Sequence, residues 1–148
     1  MNQSVLVAAA FATGVLVPLQ LAFNGQLGQV TRNAYTASLI VFLVGAAVLA
    51  LVVLATRPPL PSAAELLGAP KTVWLGGAIA TLYILAVVWV TPRLGVATTA
   101  VLIISGQLVM AVALDHFGAF GTARSPVSAL RAAGLALVIV GAVAIRKG

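Results

Sequence analysis

Residues 71–93 read KTVWLGGAIATLYILAVVWVTPR, and this stretch decides the fold. Lys71 and Arg93 bracket it 22 positions apart, about 33 Å of α-helix at ~1.5 Å per residue. No charged side chain lies between them, and Trp74 and Trp89 sit just inside the two cations. Rings at headgroup depth with cations beyond them mark the ends of a helix crossing a hydrocarbon core about 30 Å thick. Gly76 and Ala80, like Gly77 and Thr81, place small residues four apart, which lets a second helix approach closely. Pro92 is expected to close the helix.

The same pattern recurs on both sides of this stretch. Membrane spans are expected at about 5–23, 34–55, 73–90, 94–114 and 127–145, covering roughly two-thirds of the 148 residues. The chain thus reads as an all-α integral membrane protein, a single five-helix membrane domain over 1–148. Its mean hydropathy is +1.18. Only 7% of its residues are charged, against about 25% in soluble domains. A net charge of +6 does not indicate nucleic acid, because the cations stand singly at helix ends and form no patch. The sequence has no cysteine, which excludes disulfides and thiol chemistry. Met1-Asn2-Gln3-Ser4 lacks the cations of a signal peptide, so the first run is expected to be a retained helix.

The first span is interrupted by Gly14 and Pro18, and Pro18 leaves the Gly14 carbonyl without its helical donor. Thr13, Gln20 and Asn24 share one helical face. Asn24-Gly25 either ends the helix or lets it run on towards Gly28. The second span is the most uniformly apolar and reads as a wall or packing helix. Arg57-Pro58-Pro59-Leu60-Pro61 then makes a stiff connector. Ser62 with Glu65 three residues on has capping-box spacing and predicts a short interfacial helix over 62–68. The fourth span carries Thr98, Thr99, Ser105 and Gln107, and ends at Asp115-His116-Phe117-Gly118. The fifth has Gly134 and Gly141 seven apart, a small-residue surface suited to a helix contact between subunits.

The cations also bear on orientation. With alternating crossings, Arg57, Lys71, Arg124 and Arg131 fall on the N-terminal side, and Arg32, Arg93, Arg146 and Lys147 on the other. Short loops rich in Lys and Arg stay in the cytoplasm, and an imbalance fixes orientation. A tie of four against four fixes none. The expectation is a chain that inserts both ways up and pairs antiparallel.

The segments Gly76-Gly77 through Tyr83, Pro92-Arg93-Leu94-Gly95, Gly106-Gln107-Leu108 and Asp115-His116-Phe117-Gly118 together resemble the YdcZ-like family of the drug/metabolite transporter superfamily. Asn24-Gly25-Gln26-Leu27-Gly28 is similar to that family's first loop. The resemblance covers nearly the whole chain. It implies a five-helix half-transporter in the bacterial cytoplasmic (inner) membrane, found as single chains, oppositely oriented pairs or fused ten-helix proteins. Small multidrug exporters of the superfamily use a glutamate on the first helix for proton exchange. Here that stripe holds Gln20 and Asn24 and no carboxylate, so the mechanism is not carried over. Gly134 and Gly141 resemble the glycine heptad of those exporters' dimer contact.

Gln20, Asn24 and Gln107 read either as cavity lining or as interhelical hydrogen-bonding groups, since lipid satisfies none of their polar atoms. Tyr83 has the same two readings. Trp89 is a belt residue or a cavity wall. Thr98 and Ser105 bond back to their own helix or face the cavity. Asp115 and His116 serve ion or proton coupling, or else Asp115 pairs with Arg124 or Arg131. One His and one Asp make no metal site, and no cofactor is expected. No catalytic motif is present, so an enzyme is not expected. The expected function is a secondary transporter of a small neutral or weakly polar organic molecule. Its partners would be the lipid bilayer and a second copy in opposite orientation. A passive channel, half of a heterodimeric carrier and a non-transporting membrane partner are the alternatives.

Overall fold

A computed structural model describes residues 2–148. Five helices are long and apolar enough to cross a membrane. They are α1 (Gln3–Thr31), α2 (Ala34–Thr56), α4 (Leu75–Leu94), α5 (Val96–Phe117) and α6 (Ala129–Lys147). The short α3 (Ala63–Gly68) lies between α2 and α4, and a 3₁₀ turn (Lys71–Trp74) leads into α4.

The helix ends differ from expectation for local reasons. Helix α1 does not stop at residue 23; Asn24 through Gly28, the loop-like segment, is helical, and α1 continues to Thr31. Thr31 Oγ1 donates to the Leu27 carbonyl at 2.9 Å. Arg32 then adopts a left-handed conformation (φ 53°) that breaks the helix. Asn33 caps the next one, its Oδ1 accepting from the Tyr35 and Thr36 amides at 2.9 and 3.1 Å. Helix α4 likewise passes through Pro92 to Leu94. Gly95, at φ 80°, separates it from α5. Helix α6 starts two residues later than expected because Ser128 is its N-cap, accepting from the Arg131 amide at 3.2 Å.

The short helix α3 begins with the expected capping box. Ser62 Oγ accepts from the Glu65 amide, and Glu65 Oε2 accepts from the Ser62 amide at 2.7 Å. Ser62 Oγ also donates to that carboxylate at 2.7 Å. This hydroxyl bond first, and the amide second, hold the Glu65 carboxyl below its ordinary range.

The chain divides into two compact units, Ala22–Arg93 and the residues up to Leu21 together with Leu94–Gly148. In the first unit each long segment supplies one helical face. Asn24, Gly25 and Gly28 come from α1; Ala34, Ala37, Ser38 and Val41 from α2; and Ile84, Val87, Val88 and Thr91 from α4. Ala37, Ile84 and Val88 form the core, with Leu27, Ala34, Val41 and Tyr83 packed against it. The small residues let the backbones approach, as expected where lipid removes any hydrophobic drive. The closest approach is at Gly28, where a Cβ would stand 2.7 Å from Val88 Cγ1 and 3.1 Å from the Val88 carbonyl oxygen. That carbonyl is the one Pro92 cannot serve.

In the second unit α5 packs against α6. Thr99 and Ala100 are buried on α5 and Ala142 on α6. The loop between them is fastened to the end of α5. The Asp115 carbonyl accepts from the Ser125 amide at 2.8 Å. His116 Nδ1 accepts from the Val127 amide at 3.1 Å.

Two predictions follow from this packing and capping. Gly28→Ala should destabilise the purified protein by about 1–3 kcal/mol through overpacking, read as a lower melting temperature in detergent. Gly45→Ala, where nothing lies within 4 Å of a Cβ, should be neutral or stabilising by up to ~1 kcal/mol. Equal effects at the two sites would contradict the α1–α4 contact. For Glu65, a lowered native pKa means the cap is strengthened above the unfolded value near 4.5. That contribution disappears as pH falls through the native pKa. An NMR titration of the Glu65 carboxyl carbon should have its midpoint below 4.5, and Ser62→Ala should raise it.

Candidate functional site

Hydroxyls inside membrane helices ordinarily bond back to their own helix. Thr13, Thr56, Thr81, Thr99 and Ser105 do so here, donating to Ala9, Val52, Gly77, Gly95 and Val101. Ser38 and Thr91 do not. Both are buried, at 3% and 4% exposure, and neither hydroxyl has a partner. Asn24, at 7% exposure, leaves its Nδ2 unpaired in the same way. The three residues belong to α1, α2 and α4 of one unit, and each lies on the contact face of its helix. A Cβ on Gly25, next to Asn24, would touch Thr91 Cγ2 at 3.3 Å. Leaving such a group unsatisfied costs about 1–3 kcal/mol. Three buried polar groups without a protein partner thus lie on the packed faces of one unit.

Of the residues singled out in the sequence, this unit holds Asn24, Tyr83 and Trp89. Tyr83 is half-buried against the Ala37–Ile84–Val88 core. Trp89 is exposed, with the Arg93 guanidinium 4.6 Å from its ring centre and Arg93 donating to the Trp89 carbonyl. Ser38 and Thr91 were not singled out as site residues. Pro92 was the one available signal, because it marks α4 as irregular beside Thr91.

The other unit holds Gln20, Thr98, Ser105, Gln107, Asp115, His116, Gly134 and Gly141. Thr98 is half-buried, and so is Ser105, whose hydroxyl is already engaged. Gln20 and Gln107 are both exposed. Gln107 stands at the midpoint of α5, and Gln20 within one turn of the midpoint of α1. Asp115 pairs with Arg131 at 3.8 Å, each side chain more than two-fifths exposed. Such a pair contributes only about 0–1 kcal/mol. His116, held at Nδ1 by the Val127 amide, keeps Nε2 for its proton. Gly134 and Gly141 face open space; a Cβ on either would meet nothing within 4 Å.

Five helices long and apolar enough to cross a membrane, with unpaired amide and hydroxyl groups on their faces, define a multi-pass membrane protein. Compared with models of known protein families, residues 5–144 match the one described as "Putative inner membrane exporter, YdcZ". The chain belongs to this family, as its glycine, proline and glutamine segments led one to expect. It is accordingly a multi-pass inner membrane protein and a membrane transporter, which is not an enzyme kind of function. No match is found among curated proteins or solved structures.

The orphan hydroxyls make a prediction that separates structure from function. Thr91→Val and Ser38→Ala should leave thermal stability unchanged or raise it by about 1–3 kcal/mol, since each removes an unpaid desolvation. Thr99→Val removes a formed bond and should lower stability by about 1 kcal/mol. A large loss of melting temperature in Thr91→Val would mean that its hydroxyl is satisfied after all.

Proposed function

We propose that this chain is one half of a secondary transporter. Two copies in opposite orientations would form it, moving a small neutral or weakly polar organic molecule by alternating access. The observation that carries this reading is the exposure of Gln20 and Gln107 near the middle of their helices. An amide at that depth finds no partner in lipid, so it must meet another chain or a hydrated path. A second copy supplies both. Inverted repeats with the binding site at mid-membrane are a recurrent carrier architecture.

Further features support it. If the five helices cross in alternation, the cations fall four against four, which gives neither orientation an advantage. Gly134 and Gly141 lie seven apart on α6, and a Cβ on either would meet nothing within 4 Å, which leaves room there for a second helix. Cargo is neutral or weakly polar because the side chains on offer are amide, hydroxyl and aromatic: Asn24 and Tyr83 in one unit, Gln20, Thr98 and Gln107 in the other. Any proton coupling would run through Asp115 and His116, adjacent at the end of α5.

Orientation is the direct test. The sequence has no cysteine, so Gly148→Cys provides a single label for a membrane-impermeant maleimide. In right-side-out and inverted vesicles, about half of the copies should react from each face when no charge bias exists. Labelling from one face only would end the antiparallel reading.

A further inference from the structure

A second polar feature of the 22–93 unit serves no part of the transport reading. A cleft of about 400 Å³ opens beside Trp89 and is lined by Gln29, Arg32, Asn33 and Arg93, with Gly28 and Val88 at its wall. Its polar chemistry is largely donor chemistry. Asn33 has its carbonyl oxygen committed to the Tyr35 and Thr36 amides, which leaves its NH₂ group. Arg93 uses one nitrogen on the Trp89 carbonyl and keeps the rest of its fork, stacked over the indole. Arg32 reaches the cleft because its left-handed backbone turns the chain between α1 and α2.

No carboxylate balances these two guanidiniums. The chain has only two acidic residues. Glu65 is engaged by Ser62, and Asp115 pairs with Arg131 in the other unit. Two uncompensated arginines with an amide donor suit an oxyanion, and the planar fork matches phosphate oxygens.

What lies next to the cleft indicates the kind of anion. A second hollow of about 530 Å³ shares Arg32, Asn33, Ala34 and Trp89 with the first and continues along Tyr35 of α2 and Leu85 and Ala86 of α4. Leu85 and Ala86 lie one helical turn from Trp89, on the side away from Arg93 and towards the membrane interior. A donor-rich head space joined to an apolar trough has the shape of an amphiphile rather than of a free ion.

We propose that this cleft binds the phosphodiester headgroup of an anionic phospholipid. Arg32 and Arg93 hold the phosphate oxygens, Trp89 forms the wall between head and tail, and an acyl chain lies along Leu85 and Ala86. Basic clefts between membrane helices recognise headgroups by this chemistry. The site is separate from the proposed cargo path and stands or falls independently of it.

Trp89 reports on the site once the other tryptophan is removed by Trp74→Phe. The full-length protein is reconstituted with phosphatidylglycerol or phosphatidylcholine brominated equally in its acyl chains, and indole quenching is followed. Half-quenching should need a mole fraction of phosphatidylglycerol on the order of tenfold lower than of phosphatidylcholine. Arg32→Gln with Arg93→Gln should bring the two lipids together. Arg57→Gln, a cation outside the cleft, should leave the preference intact. If the double variant does not insert, each single variant should lose about threefold of the preference. Equal quenching by both lipids in the parent would overturn the proposal, as would a preference that survives loss of both arginines. Loss of the preference on adding inorganic phosphate would also overturn it, by showing the cleft to be a site for a soluble anion.

Discussion

Hydrocarbon offers no hydrogen bonds, and this constraint organises the molecule. It dictates helices, and it also dictates what each polar side chain may do. Most hydroxyls comply by bonding to the turn before them, as Thr13, Thr81, Thr99 and Ser105 do. The residues that do not comply are informative because non-compliance is costly. Asn24, Ser38 and Thr91 are buried without partners on the packed faces of three segments of one unit. Gln20 and Gln107 are unburied near mid-helix in the other. A protein whose only task was to fold in a bilayer would gain stability by replacing all five with apolar residues. Their presence is more easily understood if a solute or a second subunit completes them.

The close packing of α1 on α4 follows from the same constraint. Helices in lipid gain little from burying apolar surface, so they associate through backbone proximity. Gly25 and Gly28 bring α1 onto Thr91 and Val88 more closely than any Cβ would allow at Gly28. Pro92 adds a carbonyl at Val88 that lacks its helical donor. The tight contact and the irregular turn thus coincide at the level of α4 where Thr91 is left unpaired. Glycine and proline here do not end helices; they fit an orphan polar group into a helix contact.

This also explains what could be read in the sequence. The five spans were legible because length and apolarity are local properties, and 71–93 displays both ends of its span through Lys71, Trp74, Trp89 and Arg93. The α3 capping box was legible for the same reason. The end of α1 was ambiguous because glycine serves turns and close contacts alike, and only the position of Val88 decides between them. Pro92 marked irregularity without saying that α4 would run through it. Ser38 was hidden because a helix apolar on every side has no periodic contrast to expose its packed face. Asn24 and Gln20 were legible as polar stripe members, but helical spacing predicts the same fate for both. One is buried within its unit and the other is not, a difference set by neighbours rather than by spacing.

The cations bring the two readings together. Orientation responds to the number of Lys and Arg in short loops, and the tie leaves it open. A cleft that used Arg32 and Arg93 to recognise a feature of one leaflet only would break the tie by other means. An anionic phospholipid headgroup carried by both leaflets would not. A chain anchored through Arg32, Arg93 and Trp89 can therefore be held at its proper depth whichever way up it inserts. Cargo that is neutral makes no opposing demand on those arginines, so anchoring and transport can be tuned by separate residues. In a pair of inverted copies, each leaflet would then hold one such anchor, and the mid-membrane amides would stand at comparable depth in both halves.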